Sequence, residues 1–140
     1  MSTTPDNSEN ANVNNPLLDE AELKRVREIR RQVLGEKHVA NSHAVDALSQ
    51  PKTQLSEYVW SKIWARPGLT VQQRSIANLA MLTALNRPHE LKLHVHGALN
   101  NGLTKVEISE VLLQTGVYCG LPAAVDSFRI MQEVFAERGD

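Results

Sequence analysis

The sequence predicts an all-α protein, a compact bundle of about six to seven helices. Three observations lead to this prediction. Apolar residues recur at helical spacing through most of the chain, and no segment shows the apolar–polar alternation of a strand. Two capping boxes, Thr70-x-x-Gln73 and Thr104-x-x-Glu107, mark helix starts. Proline and glycine residues fall between the periodic segments, where helices begin and end.

Length and composition predict one folded domain with a short tail. Residues 1–16 are rich in Asn, Ser and Thr and are expected to form a disordered N-terminal tail, and residues 17–140 form the domain. The net charge of −1 and the mixed charges give no reason to expect nucleic acid or a membrane surface as partner. No apolar run approaches the length of a membrane span, and the N-terminus does not resemble a signal peptide. We therefore expect a soluble cytoplasmic protein.

Three helical segments are predicted in the first half of the chain. A charged helix covers residues 19–33, and a weaker segment covers residues 38–48. A third helix covers residues 53–64 and carries Trp60 and Trp64 at i and i+4 on its apolar side. The two tryptophans are expected in the core or at a subunit contact, although they could also form the floor of a pocket.

Four further helices are predicted in the second half. They cover residues 70–85, 86–102 and 104–118, and the last begins at Pro122. The helix over residues 104–118 is apolar around most of its circumference, and a chain this short has little material to cover it on every side. This predicts a homo-oligomer.

Polar chemistry is concentrated on the helix over residues 86–102, which holds three of the five histidines. At about 100° per residue, Glu90 and His94 lie together on one flank of its apolar stripe. His96 lies about 160° away from His94, with His89 on its side, so the two rings cannot share a ligand. The spacing also differs from the zinc motif H-E-x-x-H, so no metal is expected. The stripe itself is predicted to contain Leu91, Val95, Ala98 and Leu99.

The residues alone leave the role of the candidates open. Glu90 and His94 could form a hydrogen bond on the helix surface, or a desolvated acid–base pair beside the core, and neither alternative prevails. Cys119 is the single cysteine, which excludes an intrachain disulfide and favours a small buried apolar residue over a nucleophile. Arg66 and Arg74 are either surface charges or ligands for a carboxylate substrate.

Several long motifs resemble the carboxymuconolactone decarboxylase family. They read YVWSKIWARPGLT, RSIANLAMLTALNR, ELKLHVHGALNNG and VYCGLPAA, with VLGEKHVANS upstream. The resemblance covers about residues 25–137 and implies the alkylhydroperoxidase-D-like fold, an all-α bundle that forms homo-oligomers, commonly hexamers. The disulfide reductases of that superfamily carry C-x-x-C-x-x-x-H on the equivalent helix. Aligned with it, His94 matches the histidine, Glu90 and Arg87 replace the cysteines, and Ser75 replaces a proton-relay glutamate, which excludes peroxidase and disulfide chemistry.

The resemblance implies a lyase that needs no cofactor. Its expected reaction converts 4-carboxymuconolactone to 3-oxoadipate enol-lactone and CO2, in the protocatechuate branch of the β-ketoadipate pathway of aromatic catabolism. We expect His94 to act as acid or oxyanion donor and Glu90 to orient it. Arg74 and Arg87, and less strongly His96, are the candidates to bind the substrate carboxylates. Two alternatives remain: a decarboxylase or isomerase for a related lactone or keto acid, and a non-catalytic oligomeric binding module.

Overall fold

In the computed structural model, residues 15–40 and 47–139 are described, and every regular element among them is helical. The prediction of an all-α protein with about seven helices is confirmed. The first 14 residues of the predicted tail and residues 41–46 of the weak segment lie outside the described residues. The α-helices are α1 (Glu20–Leu34), α2 (Glu36–Ala40), α3 (Gln50–Tyr58), α4 (Val71–Ala84), α5 (Pro88–Asn100), α6 (Lys105–Cys119) and α7 (Leu121–Arg138), and one π-helix (Val59–Ile63) continues α3.

Local side-chain chemistry fixes the starts of three helices. Thr70 and Thr104 form the two predicted capping boxes, in which each threonine oxygen accepts from the backbone N–H three residues later. The side chain at that third position accepts in return from the threonine N–H. Asp19 forms the same motif at the start of α1. Each box satisfies N–H groups that have no intrahelical partner.

The core consists of two apolar clusters. The larger one joins α4, α5, α6 and α7, and the smaller one joins α1 to the π-helix. The predicted stripe on α5 is confirmed, because Leu91, Val95 and Ala98 are fully buried and Leu99 packs against them. Helix α5 therefore contacts neighbours on several sides, and its polar flanks lie at the edges of these contacts.

Helix α1 packs against α5 at close range. A Cβ added to Gly97 would lie 3.0 Å from Val33 Cγ1 and 3.2 Å from the Val33 carbonyl oxygen. At the C-cap of α1, Gly35 faces the side chain of Asn100, whose Nδ2 donates to the Val33 carbonyl at 2.7 Å. The last turn of α1 therefore lies against the last turn of α5. The absence of a side chain at Gly97 permits this approach.

Several residues that the periodicity places inward are exposed instead. They share a location on the outer faces of the bundle, and they are Leu55, Val59, Ile63, Ile76, Leu113, Val117 and Val125. Helix α6 buries only the face that carries Ile108, Leu112 and Thr115. The periodicity identified the apolar residues correctly, but a single chain has too few helices to cover both sides of them.

Cys119 is exposed, which makes the expectation of a buried cysteine wrong. It ends α6 immediately before Gly120, whose positive φ turns the chain into α7. A residue at this corner has no third helix packed over it. Within the two described ranges, no helix combines the length and apolar character that crossing a membrane requires.

Candidate active site

The His94 ring occupies a partly buried position between α4, α5 and the π-helix. The indole of Trp64 stacks on it, with ring centroids 6.2 Å apart and an interplanar angle of 15°. On the α4 side, the Nδ2 of Asn78 lies 3.4 Å from His94 Nδ1. With the amide in this orientation, Asn78 donates and Nδ1 accepts, so the proton of the neutral ring resides on Nε2. His94 thus presents one N–H donor.

The surroundings of His94 keep its ring neutral. Burial lowers the pKa of His94 below its usual 6.5; the Glu90 carboxylate opposes this effect, and His38 adds to it. His38 comes from α2 and was not among the sequence candidates. Burial also lowers the pKa of His38, with further lowering by Arg30 and His89 against the opposing charge of Glu90. Two imidazoles with lowered pKa values therefore share one electrostatic environment.

The π-helix shapes the apolar wall of the site. Its widened turn is closed by the Trp64 N–H, which donates to the Val59 carbonyl five residues earlier. Trp60 and Trp64 are both buried and stack on each other with centroids 5.1 Å apart. Both belong to the buried cluster with Val26 and Val33, so the expected core position is confirmed, and Trp64 stacks on His94 as well. Isolated π-helical turns are frequent at functional sites.

Arg74 lies at the margin of the same site. It precedes Asn78 by one turn on α4, so the two side chains share a face. Its Nη2 donates to the carbonyl of Arg66 at 3.1 Å, two residues beyond Trp64. Its Nε is buried and makes no hydrogen bond to the described residues. A buried guanidinium N–H without a partner is unusual and suits an anionic ligand.

The two candidates at the start of α5 are more exposed than the sequence suggested. Glu90 was expected beside the core as a desolvated partner of His94, but it is exposed in the single chain. It lies in the first turn of α5, and its charge also acts on His38 of α2. In the described part of the chain, the hydrogen-bond partner of the His94 ring is Asn78, and Glu90 acts on the ring through its charge. Arg87 is likewise exposed, at the N-cap of α5.

His96 lies on the other flank of α5, as its angular position predicted. Its Nε2 is 3.3 Å from a carboxylate oxygen of Glu137 on α7. The other oxygen of Glu137 accepts from Lys92 at 2.6 Å. The structure does not bring His96 together with His94. In residues 15–40 and 47–139, no three His, Cys, Asp or Glu side chains are grouped closely enough to hold a metal ion.

Sequence reasoning missed His38 and Asn78, which are 56 and 16 residues away from His94. The resemblance in VLGEKHVANS included His38 without giving it a role. Asn78 carried no distinguishing signal, because an asparagine at a polar helix position usually faces water.

The fold and the site define a class: a small helical protein whose neutral histidine, apolar wall and flanking guanidinium group suit acid–base chemistry on a small organic anion. A family model, the carboxymuconolactone decarboxylase family, matches residues 51–133. The chain therefore belongs to the carboxymuconolactone decarboxylase family. The resemblance inferred from the motifs and the expectation of a decarboxylase are confirmed at this level.

Two relatives cover most of the chain. The 4-carboxymuconolactone decarboxylase of Acinetobacter baylyi is 39% identical over 123 residues, which span 86% of this chain and 92% of the relative. The nitrosuccinic acid decarboxylase of Metarhizium robertsii is 35% identical over 114 residues, or 80% of each chain. The names of both relatives describe decarboxylases of small carboxylic acids.

Proposed function

We propose that this protein decarboxylates 4-carboxymuconolactone to 3-oxoadipate enol-lactone and CO2 without a cofactor. The 39% identity to an enzyme with that name supports the substrate. The protocatechuate pathway and the cytoplasmic location belong to the same proposal. The mechanism rests on one observation: the His94 ring lies between Trp64 and Asn78, and this arrangement leaves Nε2–H as its donor.

The substrate provides its own electron sink. The departing carboxylate is attached to a ring carbon that is conjugated, through the C=C bond, to the lactone carbonyl. When the C–C bond to CO2 breaks, its electron pair enters the ring and the carbonyl oxygen becomes a dienolate oxygen. A proton then adds to the carbon next to the carbonyl and gives the enol-lactone. The protein has to bind the lactone, stabilise the dienolate and supply that proton.

His94 is suited to the second and third tasks. As a neutral ring it can donate Nε2–H to the dienolate oxygen, and one such donor typically contributes about 10²–10³-fold. General-acid transfer of a proton to the ring carbon requires the imidazolium form of His94, which takes up a proton from solvent when the anionic substrate binds, and it contributes about 10²–10⁴-fold. Trp64 and Asn78 restrict the ring on two sides, which fixes the direction of the donor before the substrate arrives.

The charged candidates have two kinds of role: some bind a substrate carboxylate, and Glu90 affects the protonation of His94. Arg74, with its unpartnered Nε, binds a substrate carboxylate. Arg87 and His96 are weaker candidates, because Arg87 is exposed at the N-cap of α5 and His96 faces Glu137. Glu90 favours the protonated state of His94 through its charge, in place of the orienting hydrogen bond first expected.

Turnover of 4-carboxymuconolactone, followed by loss of its absorbance and release of CO2, tests the proposal. His94→Gln should lower kcat by a hundredfold or more and leave the oligomer intact. His96→Gln should change kcat/KM less than threefold, because its ring lies on the opposite flank of α5. A wild-type protein without turnover would refute the substrate, and near-normal turnover of His94→Gln would remove His94 from the mechanism.

A related acid is the second candidate substrate, because a relative 35% identical is named for nitrosuccinic acid. Loss of CO2 from that compound also leaves electrons that an adjacent acceptor, the nitro group, can take up. Parallel turnover assays with both acids decide between them. A higher kcat/KM for nitrosuccinate than for the lactone would identify nitrosuccinate as the preferred substrate. Binding of the lactone without CO2 release would instead support a non-catalytic binding module.

We also propose that the chain forms a homo-oligomer, a hexamer as the family resemblance implies. The support is an apolar outer face on α6, where Leu113, Val117 and Tyr118 are 53%, 76% and 82% exposed. Contiguous apolar surface of this kind marks an interface. Sedimentation should show a hexamer that Val117→Asp breaks, whereas Leu55→Asp on α3, also at an exposed residue, should leave it intact. A monomeric wild type would refute the proposal.

A further inference from the structure

Arg30 lies in the buried stripe of α1. Val26 and Val33, one turn to either side, are 2% and 1% exposed, so residue 30 shares the face that packs against the rest of the bundle. The Nε of Arg30 is buried and has no hydrogen-bond partner among the described residues. Arg30 itself is partly buried, and a buried N–H without a partner is costly, since buried polar groups are normally hydrogen-bonded. This free-energy cost indicates that Arg30 has a role other than stabilising the folded protein.

The packing of α1 on α5 limits how far Arg30 lies from the turn of α5 that carries His94. Val33 faces Gly97 at close range, and the side chain of Asn100 donates to the Val33 carbonyl. Arg30 precedes Val33 by three residues, and His94 precedes Gly97 by three. Each step of three residues is about 4.5 Å along a helix. Arg30 and His94 are therefore each about one turn from the same contact between the two helices.

A second observation locates the guanidinium group itself. Arg30 acts on His38 of α2, and His38 in turn acts on His94. These interactions place the guanidinium group near His38, and His38 near His94 and Glu90. The charged end of Arg30 is thus linked to the candidate active site through His38.

We propose that Arg30 binds a carboxylate of the substrate, opposite Arg74. The inference rests on the proposed function in so far as the substrate is a small di-acid. A guanidinium group donates two parallel hydrogen bonds to a carboxylate, which fixes both position and orientation. Arg30 and His38 precede the region that the family model matches, residues 51–133. Helices α1 and α2 therefore complete the site with groups from outside that region.

Binding can be measured without turnover, because both tryptophans of the chain, Trp60 and Trp64, lie at the site. The first probe is the saturated lactone that bears the same two carboxylates, which lacks the conjugated sink and cannot lose CO2 by this route. The second probe is succinate, which tests carboxylate binding without the lactone. Tryptophan fluorescence is titrated with each probe for the wild type, Arg30→Gln and Arg27→Gln, the control on the exposed face of α1.

Arg30→Gln should weaken binding of the saturated lactone at least tenfold, and Arg27→Gln should stay within twofold of the wild type. Equal affinity of Arg30→Gln and the wild type overturns the inference, as does a wild type that binds neither probe. Arg30-dependent binding of succinate in a protein that does not turn over 4-carboxymuconolactone refutes the proposed function but supports Arg30.

Circular dichroism and gel filtration establish that the variants are folded. If Arg30→Gln does not fold, Arg30→Lys replaces it, because lysine keeps the apolar stem and the charge. A lysine cannot form the paired hydrogen bonds, so the affinity should still fall threefold or more. Unchanged affinity in a folded Arg30→Lys protein overturns the inference.

Discussion

Substitution of Gly97 by alanine tests whether the contact between α1 and α5 positions the active site. The new Cβ would lie 3.0 Å from Val33 Cγ1 and 3.2 Å from the Val33 carbonyl oxygen. Carbon atoms pack best at about 3.5–4.0 Å, so α1 has to move away by about 0.5–1 Å. Arg30 and His38, on α1 and α2, would move with it.

The two consequences of this movement differ in size. Overpacking costs about 1–3 kcal/mol, and the better helix propensity of alanine returns up to about 1 kcal/mol. The free energy of unfolding should therefore fall by about 0–3 kcal/mol. A displacement of about 1 Å at a binding group can cost about 10²-fold in rate. We expect kcat/KM to fall tenfold to a hundredfold in a protein that remains folded.

Gly116→Ala is the matched control, because it overpacks a different pair of helices. Its Cβ would meet the Cβ of Ala124 at 2.6 Å, between α6 and α7. This variant should lose at least as much stability in urea unfolding and keep kcat/KM within threefold of the wild type. If Gly97→Ala loses stability but keeps the wild-type kcat/KM, then α1 does not position the site.

Three further predictions concern the polar groups of the site and core. Asn78→Leu removes the donor to His94 Nδ1, so kcat should fall about tenfold or more with a small change in KM. An unchanged kcat would show that a group other than Asn78 determines which nitrogen of His94 carries the proton. The pKa values of His38 and His94 are lowered from 6.5, so the unfolded chain binds protons more readily than the folded one as the pH falls. The free energy of unfolding should therefore decrease from pH 7.5 towards pH 5, less steeply in His38→Asn and His94→Asn, and a flat profile in the wild type would contradict this. Ser75→Ala leaves Asn101 Nδ2 without its acceptor in the core, which should cost about 1–3 kcal/mol in urea unfolding; a cost below about 0.5 kcal/mol would show that Asn101 finds another partner.

The sequence predicted the helices better than it predicted their surroundings. Thr70 and Thr104 form the capping boxes that the pattern predicted, because capping is a local interaction within four residues. The buried stripe of α5 was predicted for the same reason, since the helical period alone determines which residues share a face. The neighbouring helices determine which of two apolar faces is covered. The periodicity of α6 therefore could not show that Leu113 and Val117 are exposed.

Single residues of the site were predictable, but the contacts between helices were not. His94 stood out because of its position beside an apolar stripe, and its stacking on Trp64 agrees with that position. The partner of its ring was assigned to Glu90, four residues away on the same helix, whereas Asn78 of α4 occupies that place. Contacts between helices depend on the docking register, which single-chain periodicity does not contain. His38 and Arg30 were missed for this reason.

If His94 has the role proposed above, its lowered pKa makes protonation of the ring dependent on the substrate. In the free protein, burial and the nearby His38 oppose an imidazolium, and among the described residues the charge of Glu90 favours it. In the proposed complex, a di-anion held by arginines adds negative charge at short range, and an opposite charge within about 4–6 Å favours the charged form of a histidine. We therefore expect the substrate to raise the pKa of the group that supplies its proton, and the dienolate formed by loss of CO2 to retain the charge that holds that proton nearby. In this mechanism His94 is a weak acid until the lactone binds, which restricts proton transfer to the occupied site.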